Sequence, residues 1–144
     1  MVAAPIPMPP DELPTSPPPS LVPDAVWIDV CRVDDITPDT GVAALIAGQQ
    51  IAIVRVGAGS GDDQRIFAVG NYDPFSRAFV IARGIVGDRA GVPKIASPIF
   101  KQSFDLRTGQ CLDDPSVRLP SYPVQVRDGR IAILIAPVNQ EPPS

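Results

Sequence analysis

This chain of 144 residues contains no histidine. That absence excludes Ser-His and Cys-His nucleophile pairs, and any metal site that needs an imidazole ligand. Cysteine is nearly as scarce, with only Cys31 and Cys111. Two thiols unsupported by imidazole cannot complete a zinc or iron–sulfur site. They read as small, partly buried thiols, and a disulfide is disfavoured in a chain without a secretion signal. No stretch approaches the ~20 apolar residues of a membrane span. The basic start and apolar run of a signal peptide are missing too. These absences predict a soluble, cytoplasmic protein with no membrane contact. Lys and Arg total 12 against 16 Asp and Glu, a net charge of −4. Nucleic acid is therefore not an expected partner, because binding its backbone takes clustered cations.

Proline is abundant. Nine of the 19 prolines fall in residues 1–23, which hold no Lys or Arg. Proline fixes φ and has no amide donor, so this segment cannot enter a helix or a central strand. It reads as an extended, polyproline-type arm with little to bury and no fixed structure. The remainder divides into one domain over 24–137 and a flexible tail over 138–144.

Within the domain, short apolar runs alternate with turn signals. Residues 25–33 read as a strand, broken by Asp34-Asp35, Pro38 and Gly41. Residues 42–47 fit either a strand or a helical turn. The unbroken apolar run 50–56 predicts a strand buried on both faces. Residues 57–63 form a turn into a strand at 65–70, with short strands at 79–82, 94–96 and 101–106. Tyr122, Val124 and Val126 alternate with polar or turn residues, and Asp128-Gly129 suits a type I′ turn into a last strand at 130–136. No window offers a long, capped amphipathic helix. The expected class is all-β, a small antiparallel sandwich or barrel.

Several candidate constellations reduce to turns. Gly57-x-Gly59-x-Gly61 joins two strands, whereas a phosphate cradle opens a helix. Asp34-Asp35, Asp62-Asp63 and Asp113-Asp114 lack the alternating oxygen ligands of a calcium loop, and Asp is a common turn residue. Ser97 has no base to activate it.

Two segments carry more. One reads Asn71-Tyr72-Asp73-Pro74-Phe75, the other Ser97-Pro98-Ile99-Phe100-Lys101-Gln102-Ser103-Phe104-Asp105-Leu106-Arg107-Thr108-Gly109. Their pattern resembles the cluster-binding loops of Rieske iron–sulfur proteins, C-x-H and C-x-x-H, in which two Cys hold one iron and two His the other. Here Asp73 and Ser97 stand at the Cys positions, and Phe75 and Phe100 at the His positions. Phenylalanine has no lone pair to give a metal. With Trp27-Ile28-Asp29-Val30-Cys31 and Ala82-Arg83-Gly84-Ile85-Val86-Gly87-Asp88, the match narrows to the small subunit of NAD(P)H-dependent assimilatory nitrite reductase, over residues 24–137.

The resemblance implies a Rieske-like antiparallel β-sandwich or barrel with an inserted loop subdomain, and no cofactor in this chain. It places siroheme, an iron–sulfur cluster and FAD on a large subunit that reduces nitrite to ammonium in nitrate assimilation. This chain would then be a subunit of an oxidoreductase with no active site of its own. Alternatives are a cluster-free interaction module and a stand-alone Rieske-type ferredoxin, the latter opposed by the loss of all four ligands. The expected contact residues for the large subunit are Asn71, Pro74, Arg77, Arg83, Ile99, Phe100, Lys101 and Gln102. Phe75 and Phe100 are expected to fill the vacated cluster pocket rather than stand exposed as an anchor.

Overall fold

The apolar run expected to be buried on both faces lies at the middle of the molecule. It forms β3 (Gln49–Val56), paired antiparallel to β2 (Thr40–Ile46) on one side and β4 (Arg65–Gly70) on the other. Ile51 and Ile53 point into one core, Ala52 and Val54 into a second, and all four are fully buried. The period-2 alternation of a strand thus makes β3 the wall between two cores. The computed structural model describes residues 25–57 and 65–136. The 1–23 arm, the 138–144 tail, Gly59, Gly61 and the Asp62-Asp63 pair lie outside the described residues.

The first core is a sandwich. Its other layer holds β1 (Val26–Arg32), β12 (Arg130–Ile135) and β11 (Val124–Arg127), in the order β1-β12-β11. Ile131, Ile133 and Ile135 of β12 meet Ile51, Ile53 and Ile66 across it. The turn between β11 and β12 has positive φ at both Asp128 (54°) and Gly129 (76°), as a type I′ turn requires. The alternating segment before it divides between two layers. Ser121–Tyr122 is β10 and pairs with β4, while β11 joins β12 beyond Pro123.

The second core lies on the opposite face of β3. It is closed by the sheet β7 (Ile85–Arg89), β8 (Val92–Ala96) and β9 (Ser103–Asp105), with the hairpin β5 (Tyr72–Asp73) and β6 (Ala78–Phe79) beside it. Phe104, Leu106, Leu119, Ile81 and Ile95 fill it. This is the inserted loop subdomain, and the architecture is antiparallel throughout the described residues.

Three strand expectations change. The 42–47 ambiguity resolves to strand. The expected strand at 79–82 ends at Phe79, and Ile81–Arg83 forms a 3-10 turn instead. There the Ile81 amide donates to the Asn71 carbonyl (3.1 Å) and the Ala82 amide to Asn71 Oδ1 (2.8 Å), bonds that draw the backbone out of the extended form. The expected strand at 101–106 begins only at Ser103, because Lys101 is left-handed (φ 69°). Among the described residues no helix is long and apolar enough to cross a membrane. Both cysteines are free, Cys111 buried and Cys31 half-buried. Burial, then Asp35, pushes the Cys31 thiol pKa up. Asp35 accepts from the Arg32 amide (2.9 Å), and Asp114 from the Ser116 amide (3.1 Å), so these acidic residues are turn formers.

Candidate functional site

Residues 73–77 and 97–101 form two loops of one design at one end of the second core. Each starts with a short polar residue and a proline, Asp73-Pro74 or Ser97-Pro98. Each closes with a backbone bond four residues back, Arg77 N–H to the Asp73 carbonyl (2.7 Å) and Lys101 N–H to the Ser97 carbonyl (3.1 Å). In each, the first side chain accepts from the amide two residues on: Phe75 N–H to Asp73 Oδ1 (2.9 Å), Ile99 N–H to Ser97 Oγ (3.3 Å). Both end on a cation at positive φ, Arg77 (60°) and Lys101 (69°). These are α-turns braced by side-chain caps. The shared Pro at the second position and cation at the fifth were readable signals, as was Ser76, which sequence reasoning passed over.

The loops are tied together at the positions that thiolates hold in a Rieske centre. Ser97 Oγ donates to Asp73 Oδ2 at 2.6 Å, and Ser76 Oγ donates to the same oxygen at 2.8 Å. Asp73 and Ser97 are both fully buried. Burial pushes the Asp73 carboxyl pKa up, but bonds from Ser97, Ser76 and the Phe75 and Ser76 amides outweigh it and hold it below the ordinary value. Hydrogen bonds to a carboxylate are roughly twice as strong as neutral ones, which makes this a firm cross-link. It also removes Ser97 from chemistry, since its hydroxyl is committed and no substrate reaches it.

A two-iron cluster does not fit these residues. Asp73 and Ser97 touch each other where a cluster would have to stand between them, and Phe75 and Phe100 have no donor atom. Among the described residues no group of three or more His, Cys, Asp or Glu is placed to hold a metal. The pocket-filling expectation holds for one phenylalanine only. Phe75 packs on the second core, its ring centroid 6.2 Å from that of Phe104. Phe100 is 57% exposed and corrects the expectation for its position. Phe75 takes the place against the second core, while Phe100, in the other loop, stays at the surface.

Of the expected contact residues, Pro74, Arg77, Arg83, Ile99, Phe100 and Lys101 are exposed. Asn71 is buried, and its amide also donates to the Gln50 carbonyl (3.0 Å), so it positions the loop rather than offering surface. Gln102 is half-buried, and its carbonyl accepts from the Ser97 amide (2.9 Å). Gln102 Oε1 is buried with no hydrogen-bond partner among the described residues. Three exposed apolar residues were missed: Tyr72, Phe79 (55%) and Ile85 (59%). Tyr72 and Phe79 face each other across β5 and β6 with ring centroids 5.0 Å apart. The alternation Asn71 in, Tyr72 out, Asp73 in, Pro74 out was the signal for Tyr72.

The loop-region cations divide into two groups. Arg89 pairs with Asp113 (3.3 Å), Arg107 with Asp105 (3.0 Å), and Lys94 donates to Ser103 Oγ (3.4 Å). Arg77, Arg83 and Lys101 have no acidic partner among the described residues. Arg83 reaches its place through Gly84, where a Cβ would lie 2.2 Å from the Ala96 carbonyl oxygen, so only glycine fits. The loop end therefore presents apolar side chains and three cations that lack an acidic partner among the described residues.

An antiparallel sandwich with two such loops on an inserted subdomain defines a Rieske-type domain, here with a polar cross-link at the ligand positions. The family described as Rieske-like [2Fe-2S] domain matches residues 26–134. The chain is 37% identical over 107 residues to the nitrite reductase (NADH) small subunit of Escherichia coli K12, covering 74% of this chain and 95% of that one. A crystal structure from Mycobacterium tuberculosis, titled as an NADH-dependent nitrite reductase small subunit, superposes with a TM-score of 0.71 at 46% identity, covering 79% of this chain and 98% of that one. The Klebsiella oxytoca nitrite reductase [NAD(P)H] large subunit is 33% identical over 110 residues, covering 76% of this chain but only 11% of that longer one. The chain belongs to the family of nitrite reductase small subunits.

Proposed function

We propose that this chain is the non-catalytic small subunit of a cytoplasmic NAD(P)H-dependent nitrite reductase, which reduces nitrite to ammonium. Its Rieske-like domain over 24–137 docks by the loop end on a large subunit that carries siroheme, an iron–sulfur cluster and FAD. The observation that carries the reading is the Asp73–Ser97 bond: the frame of a redox domain is kept while its ligand positions are spent on holding the frame together. The Klebsiella oxytoca large subunit supports the partnership, because a segment like this chain makes up 11% of that protein. A module carried within the larger chain is held beside it at high effective concentration. Contact falls to Pro74, Ile99 and Phe100, with Arg77, Arg83 and Lys101 supplying charge that steers encounter and fixes register. Tyr72, Phe79 and Ile85 extend the apolar surface.

The test is binding to the large subunit, together with nitrite-dependent NAD(P)H oxidation. Arg83→Glu with Lys101→Glu should weaken binding by about tenfold or more, and most at low salt. Arg127→Glu with Arg130→Glu, on the terminal hairpin, should do much less. A hairpin variant that loses the partner while the loop variant keeps it puts the interface on the opposite end. Stoichiometric iron and acid-labile sulfide in the anaerobically purified chain would overturn the cluster-free reading.

A further inference from the structure

Beside the loop end runs an open groove of about 230 Å³, lined by Gln50, Tyr72, Pro74, Arg118, Pro120 and Tyr122. It is smaller than the roughly 300–1,000 Å³ of a small-molecule site, so it suits a few residues of a chain rather than a cofactor. Two tyrosines and two prolines with hydroxyl, amide and guanidinium donors form the kind of surface that takes a polyproline segment. We propose that the proline-rich arm of this same chain, residues 1–23, docks in this groove.

Three observations choose that occupant. The first is composition. The arm contains the spacings Pro7-x-x-Pro10 and Pro14-x-x-Pro17, which set prolines on one side of a helix with three residues per turn. The second is reach. The described chain starts at Ala25, whose neighbour Val26 pairs with Ile135. There the Leu134 amide donates to the Pro123 carbonyl (3.1 Å), and Gln49 Nε2 donates to the Ala136 carbonyl (3.4 Å). The Tyr122 hydroxyl donates in turn to Gln49 Oε1 (2.9 Å). The start of the described chain is thus linked to Tyr122 through β12, Ala136 and Gln49. From Ala25 back to Pro17 an extended segment would span about 25 Å at ~3.1 Å per residue. The third is charge. The arm bears Asp11 and Glu12 and no Lys or Arg, and the groove offers the exposed Arg118.

Tyr72 and Tyr122 are the only tyrosines in the chain, so both walls can be labelled without ambiguity. The full chain grown with 3-fluorotyrosine should give two fluorine resonances. Replacing Pro7, Pro10, Pro14 and Pro17 with alanine should shift both by more than their line widths. A synthetic peptide of residues 5–19 added to that variant should return them toward their original positions. Serial dilution of the unaltered chain should leave both unmoved, as contact within one molecule requires. Resonances that ignore the proline substitutions overturn the proposal, and so does a shift lost on dilution, which is contact between copies.

Tyr72 and Pro74 also belong to the face proposed for the large subunit, so the arm and that subunit compete. If the arm occupies the groove in three molecules of four, the proline variant should bind the large subunit about fourfold tighter. This consequence alone rests on the proposed docking face. Unchanged affinity with the fluorine shifts intact counts against that face and leaves the groove assignment standing.

Discussion

The two cores on either side of β3 are built from different chemistry. The sandwich core is aliphatic, with Ile36, Ile46, Ile51, Ile53, Ile66, Ile131, Ile133 and Ile135 and no buried polar side chain among its members. Among the described residues all five buried polar ones, Asn71, Asp73, Ser97, Ser103 and Asp105, belong to the loop side. Apolar contact is non-directional and needs only the right face and volume, so it can hold sheets together. Hydrogen bonds are directional, so they can hold a loop in one shape. The sandwich supplies cohesion, and the polar side supplies the form of the surface it presents.

The sharpest way to break this contrast is to cut a large side chain from the sandwich. Ile53→Ala, at a fully buried position, should lower unfolding free energy by about 3 kcal/mol in urea titration, with loss of the whole fold as one unit. A smaller and more local effect is expected of Asp73→Ala. It leaves the hydroxyls of Ser76 and Ser97 and the Phe75 amide without their acceptor, a loss of about 2 kcal/mol. Hydrogen exchange should then accelerate in 73–77 and 97–101 while β12 keeps its protection. If β12 loosens equally, the two regions are not separable.

Acid should act on the loop side. The Asp105 carboxyl is held low first by the Arg107 hydrogen bond, and Asp113 by the Ser103 amide. Asp73 is also low, because its hydrogen bonds outweigh its burial. A carboxyl whose folded pKa lies below its unfolded value, near ~3.9, stabilises fully above the unfolded value and loses that contribution as pH falls through the folded one. Urea midpoints measured at falling pH should therefore drop below about pH 4, and Asp73→Asn should blunt the drop. Ser97→Ala removes one donor of several and should cost about 1 kcal/mol.

The smallest effect sharpens the comparison most. Lys101 sits at positive φ, where glycine is strain-free, so Lys101→Gly should change stability by less than about 1 kcal/mol. If the large subunit nonetheless binds more weakly, the cation is there for contact and not for the fold.

Much of the fold was legible because the sandwich follows hydrophobic period. The run 50–56 declared a strand buried on two sides, and Asp128-Gly129 declared its turn, since few residues accept two successive positive φ values. The loop frame was legible as a pattern of residues, with Asp73-Pro74 and Ser97-Pro98 opening its two loops. Less legible were the 3-10 turn at Ile81–Arg83 and the late start of β9. Both depend on partners distant in sequence or on one left-handed residue, and local pattern carries neither.

By itself the sequence determined the class of the fold, the loop frame and the lack of imidazole, because periodicity and composition are properties of the linear chain. Only the tertiary structure decided that Asp73 and Ser97 meet at 2.6 Å, that Phe75 turns inward while Phe100 stays out, and that Tyr72 and Tyr122 share a groove. Each of these depends on which segments are brought together and on how much space remains once the first side chain is in place. A close-packed interior settles that competition only when the whole chain is folded.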